Sequence, residues 1–428
     1  MVYVPFLVMI GALLLGVPIA FSLAVAGIVG IYLLGADWNV VLRILGTTPY
    51  GVAAEYVLTT IPMFILMAYF SASGGLARNL YTAGANWLSS VRGGLAIATV
   101  FACGIFGAMS GASLAAAAVM SSIAMPEMRR RGYSDELAAG SIGIGSTLDI
   151  LIPPSVGMVI YGITTQTSIG KLLIAGVVPA LIVGAFLVVA ILVWVRVRPS
   201  HAPETYVVTA HERWASLRRI WSSLLLIALV IVLLYTGVAT PTEVGALGAF
   251  LAGLIGVAFG RLTWAGAFEA IRQTIKISAL IFMILIGATV FGYYMAMSKI
   301  PQQVVAVVTE MNLNRWVVIV GIVVSYFVVS MFMDELPLLL LTLQLTFPLI
   351  TALGFDPIWF GVMSMLMVSM GLVFPPVGMI AFVVSSTANV GLMKVYTGTS
   401  ILMIAIVLTT ILIMVFPQIV LWLPNTMR

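Results

Sequence analysis

Charge is scarce in this sequence: Asp, Glu, Lys and Arg together make up 8% of its 428 residues, where soluble domains carry about a quarter. Cysteine occurs once, as Cys103, so neither a disulfide framework nor a thiolate metal site is available. Histidine occurs twice, and both His201 and His211 fall in the polar stretch 196–219 with no carboxylate or cysteine cluster beside them. No HExxH pattern is present, and no histidine lies where it could activate a buried serine. These absences argue against transition-metal and serine hydrolases, and an intramembrane dyad of Asp149 and Asp334 is disfavoured because the two lie in opposite halves of the chain. A phosphate-binding loop is missing too, so ATP has no visible role. No cofactor and no transition metal is expected.

Apolar residues fill the space that charge leaves. They form 62% of the chain, and the mean hydropathy is +1.20 over nearly its whole length. A bilayer core is about 30 Å thick and takes about 20 residues of helix, so repeated runs of this kind predict a polytopic membrane protein. The runs are apolar on all sides rather than alternating, which predicts an all-α protein and excludes a membrane barrel. Spans and broken spans are expected near 4–34, 55–75, 94–125, 137–165, 172–195, 220–236, 242–260, 277–298, 316–350, 357–390 and 399–423. Amphipathic pieces at 36–54 and 263–276 are expected along the interface. The segment after Met1 lacks a basic region and a cleavage site, and reads as a first span rather than a signal peptide. The net charge of +5 is spread as membrane topology demands, so a lipid bilayer and not a nucleic acid is the implied surface partner.

The chain repeats itself. Pro126 and Pro348 lie 222 positions apart, and the same offset relates Gly132 to Gly354, Tyr133 to Phe355, Pro153 to Pro375 and Pro154 to Pro376. The expected organisation is a first repeat at 1–195, a cytoplasmic connecting loop at 196–219, and an extra helix plus second repeat at 220–428. Segments 94–125 and 316–350 are too long for single spans and carry internal Gly or Pro, so both are expected to be re-entrant hairpins. With loop 196–219 in the cytoplasm, 14 of the 19 basic residues fall inside, as the positive-inside tendency requires. The N-terminus is then cytoplasmic, the C-terminus periplasmic, and the repeats inverted. The Arg129–Arg131 run reads as a solvated topology signal, Glu55 and Glu243 as helix-end residues, and Glu335 as a residue of the membrane surface.

Inverted repeats with interrupted segments at matching places point to a transporter. The first hairpin tip is expected at 106–113 and the second at 332–337. The matching breaks are 145–155 and 369–378, each with a Pro-Pro pair that frees carbonyls at membrane depth. Such carbonyls, with Ser and Thr hydroxyls, form an oxygen cage suited to a hard cation such as Na⁺. Exposed helix N-termini at the breaks suit a carboxylate. Asp149 and Asp334 sit at interruptions, where an aspartate costs about 2.5–3.5 kcal/mol on insertion scales and is a functional candidate by default.

Ile152-Pro153-Pro154-Ser155, Tyr161-Gly162, Met125-Pro126-Glu127-Met128-Arg129-Arg130-Arg131-Gly132-Tyr133 and Pro241-Thr242-Glu243 resemble the large membrane subunit of tripartite ATP-independent periplasmic (TRAP) transporters. So do Phe332-Met333-Asp334, Gly354-Phe355-Asp356-Pro357 with Phe360-Gly361, and Pro375-Pro376-Val377-Gly378. The likeness runs from about residue 5 to 420. It implies an importer with an elevator-like transport domain, driven by Na⁺ as the coupling ion. It further implies a separate small membrane subunit of about four helices and a periplasmic substrate-binding protein. The implied cargo is an organic acid: a dicarboxylate, another carboxylate, a sugar acid or sialic acid. Carried over by position, the resemblance places one Na⁺ site on Ser110, Gly111, Ser113, Gly145, Thr147, Pro153 and Ser155. It places a second on Met333, Asp334, Ser369, Gly371, Pro375 and Gly378. Ser146, Asp149, Pro154 and Pro376 are candidates for substrate or coupling contacts. Asp149 stands where the family commonly has glycine. A self-sufficient Na⁺- or H⁺-coupled anion transporter of the same architecture remains the alternative, and the bacterial inner membrane is the expected location.

Overall fold

The computed structural model describes residues 3–72, 76–110, 112–203, 205, 207–259, 262–311 and 313–427. Among these there is no strand, and the first half is a chain of helices. They are α1 (Val4–Leu14), α2 (Ile19–Leu33), α3 (Trp38–Ala53), α4 (Thr60–Ala72), α5 (Leu76–Trp87), α6 (Gly94–Ser110), α7 (Ser113–Arg130), α8 (Asp135–Ser146), α9 (Val156–Thr165), α10 (Ile169–Ala175) and α11 (Val177–Val197). The second half holds α12 (Ala210–Thr236), α13 (Pro241–Ala258), α14 (Trp264–Ser298), α15 (Ile300–Glu310), α16 (Arg315–Ser330) and α17 (Glu335–Ala352). It ends with α18 (Pro357–Gly371), α19 (Met379–Ala388), α20 (Leu392–Leu402), α21 (Ile404–Val415) and α22 (Gln418–Asn425). Among the described residues five stretches are long and apolar enough to cross a membrane, or seven if each of two bent helix pairs is one span.

The 222-residue register of the sequence is also a register of structure. Gly132 and Gly354 both take positive φ, +79° and +74°, in turns that a residue with a Cβ enters only under strain. Two positions further on, Ser134 and Asp356 cap α8 and α18 by accepting from backbone N–H groups. The halves also pack by exchange. Helix α2 lies on α14 and α13 on α4; α8 lies on α20 and α10 on α18; α7 lies on α19 and α17 on α9. In each of these pairs an element of one half meets the counterpart of a helix one or two places along its own half.

Two side-chain contacts fix the relative direction of the halves. At one end, Asp135 at the start of α8 pairs with Lys394 at 3.2 Å, just past the end of α19. At the other, the Tyr161 hydroxyl of α9 donates to the Pro357 carbonyl at the start of α18, at 2.7 Å. The α8–α9 segment thus begins where α18–α19 ends, and ends where it begins. These two segments therefore run in opposite directions.

Several boundaries differ from those the sequence suggests. Segment 4–34 is two helices, parted at Gly16-Val17-Pro18, where Gly16 has φ +79°. Segment 263–276 is no separate interfacial piece: it runs without interruption into 277–298 as the 35-residue α14. Its counterpart is bent instead, with the 38–53 and 56–72 segments meeting at 54°. The polar stretch before the second half is shorter than its composition implies. Helix α12 already begins at Ala210, where Thr209 and Glu212 form a reciprocal capping box.

Burial separates two kinds of helix. Every residue from Leu137 to Leu151 and from Trp359 to Val373 is buried, so the two broken helices form the centre. By contrast, Val317, Val320, Val324 and Val328 of α16 and Phe250, Leu254 and Val257 of α13 are exposed. Helical spacing puts each set on one outward stripe, suited to lipid or to a membrane partner.

Candidate functional site

Each hairpin tip rests on the break of its own half. In the first half α6 ends at Ser110, Ala112 is extended, and α7 begins at Ser113. Helix α8 ends at Ser146, a single 3₁₀ turn covers Leu148–Ile150, and Pro153-Pro154 holds the chain open until Ser155 caps α9. The Ser113 hydroxyl donates to Asp149 Oδ1 at 2.7 Å. Asp149 is only 5% exposed, and it lies against the bare backbone of Gly107, where a Cβ would stand 2.6 Å from its own Cβ.

The second half repeats the arrangement with different atoms. Helix α16 ends at Ser330 and Asp334 caps α17, its Oδ1 accepting from the Glu335 N–H at 2.9 Å. The Gly378 N–H donates to the Met331 carbonyl at 3.1 Å, tying the break to the tip. Ser330 donates to the carbonyls of Phe327 and Met367, at 2.8 and 3.3 Å, and Gly371 gives that side chain its space. The peptide bonds Pro153-Pro154 and Pro375-Pro376 are both cis.

The hydroxyls at the breaks share one habit. Ser146 donates to Ile142, Thr147 to Ile144 and Ser369 to Leu366, all at 2.7–2.8 Å; Ser110 donates to Gly107 at 3.1 Å. A hydroxyl that gives its proton to a helix carbonyl leaves its oxygen lone pairs free. That is the state in which it can ligate a cation.

Across the middle the two halves meet through acids. Glu335 reaches from α17 to the start of α9, where a Cβ on Gly157 would lie 3.4 Å from Glu335 Oε1. Its other oxygen, Oε2, is buried without a hydrogen-bond partner. Among the described residues no group of three acids, cysteines or histidines is placed to hold a metal ion.

The sequence profile described as the tripartite ATP-independent periplasmic transporter, DctM component, matches residues 6–419. The chain belongs to this family. A C4-dicarboxylate TRAP transporter large permease of Pseudomonas aeruginosa is 33% identical over 405 residues, covering 94% of each chain. An ectoine TRAP transporter large permease of Halomonas elongata is 31% identical, covering 97% of each chain. A sialic acid TRAP transporter large permease of Vibrio cholerae is 28% identical over 97% of this chain and 96% of its own. In fold, the chain is similar to the YdaH transporter of Alcanivorax borkumensis, with a TM-score of 0.67, 16% identity, and coverage of 89% of this chain and 90% of that one. The protein is thus a multi-pass membrane permease of the TRAP large-subunit type, a family that works with a small permease subunit and a substrate-binding protein.

Most residues that the TRAP resemblance singles out fall at the tips and breaks. Ser110, Ser113, Gly145, Ser146, Thr147, Asp149, Pro153, Pro154 and Ser155 gather around the first pair; Met333, Asp334, Ser369, Gly371, Pro375, Pro376 and Gly378 gather around the second. Gly111 lies outside the described residues. Ser113 is already bonded to Asp149, and Ser155 caps α9 through the Met158 N–H.

Four residues take parts that the sequence did not suggest. Glu335 leaves the membrane surface and turns inward, because Asp334 starts the helix at the tip and directs the next side chain into the protein. Tyr396 and Thr399 of α20 hold the second break: Tyr396 donates to the carbonyls of Pro376 and Val377 at 3.1 and 2.7 Å, and Thr399 to Val373 at 3.0 Å. The matching positions of the first half, Ile174 and Val177, are apolar, so nothing in the repeat pattern signals this clamp. Arg129 is no simple solvated charge. It pairs with Asp135 at 2.8 Å and donates to the carbonyls of Ala388 and Asn389, closing the end of α19.

Proposed function

We propose that this chain is the translocating subunit of a Na⁺-coupled TRAP importer, taking up an organic acid handed over by a periplasmic binding protein. The reading is carried by one observation: two inverted tip-and-break pairs, each lined by carbonyls and by hydroxyls whose lone pairs are free, in a chain of the TRAP family. Cation binding at each pair orders the tip against the break. Site one draws on Ser110, Gly145, Thr147 and the carbonyls before Pro153; site two draws on Asp334, Ser369 and the carbonyls around Gly371 and Pro375.

With both sites filled, the N-terminal ends of α9 and α19 are set to hold the cargo carboxylate. The body made of hairpins and broken helices then slides against the outer helices and opens to the cytoplasm. The small subunit is a separate chain of about four helices that covers part of the outer apolar surface. In this reading the protein sits in the bacterial inner membrane with its N-terminus in the cytoplasm and its C-terminus in the periplasm.

Uptake into proteoliposomes tests the coupling, with the small subunit and binding protein supplied and external Na⁺ replaced by choline. Uptake is expected to collapse to the level of empty liposomes. Undiminished uptake in choline rejects Na⁺ drive.

A further inference from the structure

We propose that the cargo of this permease is an organic acid that also carries a cationic nitrogen, and that Glu335, with Asp149 beside it, receives that nitrogen. The inference rests on the functional reading above and narrows its substrate class.

Charge at the centre is one-sided. Asp149 comes from the first break, Asp334 from the second tip, and Glu335 follows it into the start of α9, so both halves bring acids to one place. No Lys, Arg or His occurs in residues 93–128, 132–170 or 316–393, the stretches that build both hairpins and both breaks. Two of the acids have assigned partners, Asp149 through Ser113 and Asp334 through the Glu335 N–H. Glu335 does not: its Oε2 atom is buried with no donor in reach. A buried carboxylate oxygen left so is costly, and the cost is removed by a proton, or by a donor or a cation that arrives with a ligand.

Sodium alone does not balance the site. With all three carboxylates ionised, two Na⁺ ions offset two of them and one negative charge remains. A dianionic cargo would add two more at membrane depth, where uncompensated charge is heavily penalised. A zwitterion brings its own positive group to Glu335 and its carboxylate to a helix N-terminus, and leaves the sum unchanged. The names of relatives do not decide the matter, since one at 33% identity is named for C4-dicarboxylates and another at 31% for ectoine, a zwitterion.

Thermal stabilisation of the purified large–small subunit complex reads the site without the selectivity of the binding protein. The probes are ectoine, glycine betaine and γ-aminobutyrate against succinate and malate, at millimolar concentration in NaCl. At least one zwitterion is expected to raise the apparent Tm by about 2 °C or more, with no shift from the dianions. Glu335→Gln is expected to abolish that shift, and Asp149→Asn to weaken it. Glu335→Asp is the second variant: it keeps the charge, so the shift survives if the carboxylate matters as such. A shift with succinate or malate, no shift with any zwitterion, or a zwitterion shift that survives Glu335→Gln overturns the proposal. Stabilisation by NaCl over choline chloride, measured without organic ligand, is a separate readout. Its absence would reject Na⁺ coupling and leave the cargo assignment to stand or fall on the ligand shifts.

Discussion

The Ser113 hydroxyl donates to Asp149 at 2.7 Å and so latches the first hairpin tip to the first break. The latch depends on a third residue. Asp149 has room only because Gly107 has no side chain, a hypothetical Cβ there standing 2.6 Å from the aspartate's own.

Gly107→Ala is therefore expected to destabilise the protein by about 1–3 kcal/mol, as overpacking of a tight interior does. Asp149→Gly in the same chain removes the clash, so the double variant should recover most of the loss. Thermal unfolding of the four proteins in detergent measures the coupling; additive effects of the two changes would mean that these residues do not compete for space.

Thr399→Val removes the donor that holds the Val373 carbonyl of the second break. An unpartnered buried acceptor costs about 1–3 kcal/mol. If the break is a cation site, half-saturation for Na⁺ should rise by about five-fold or more. A Na⁺ titration of uptake reads this directly, and an unchanged midpoint with unchanged stability would remove Thr399 from the site.

Asp135 is bound by Arg129 at 2.8 Å and by Lys394 at 3.2 Å, in the turn where the halves meet outside the bilayer. The hydrogen bond from the Arg129 guanidinium, helped by Lys394, holds its carboxyl below the ordinary carboxylate range. A lowered folded-state pKa gives stability that is full above the unfolded value and is lost as pH falls through the folded one. Wild type is thus expected to unfold at higher temperature than Asp135→Asn near neutral pH, with the gap closing in acid. A gap that does not change with pH would mean that charge is not its source.

Arg130 and Ala352 occupy matching places in the two repeats, 222 positions apart, and both are exposed. Arg130→Cys and Ala352→Cys, each in a Cys103→Ala background, should react with a membrane-impermeant maleimide from opposite faces. Labelling of both from one face would contradict inverted repeats.

The internal register and both Pro-Pro breaks were legible because they are written in prolines and glycines, whose backbone effects are local and survive duplication. Gly132 with Gly354 and the two Pro-Pro pairs carry the register in both sequence and structure. What stayed hidden depends on long-range placement. Tyr396 and Thr399 lie 19–26 residues from the carbonyls they hold, and their repeat counterparts are apolar. Glu335 looks like any helix-start acid until the start of α9, from the other half, closes over it. Segment 263–276 was misjudged because its polar residues mark the exposed end of a long helix rather than a helix of its own.

That helix has a mechanical consequence. At 35 residues α14 extends about 52 Å, well beyond the thickness of a bilayer core, while its counterpart is folded at an elbow of 54°. One half leans on a stiff rod and the other on a joint, so the inward-open and outward-open forms of the proposed transport cycle would not be mirror images. In the importer proposed above, two unlike forms would differ in free energy, and the empty permease would favour one facing until its ions and cargo tip it to the other.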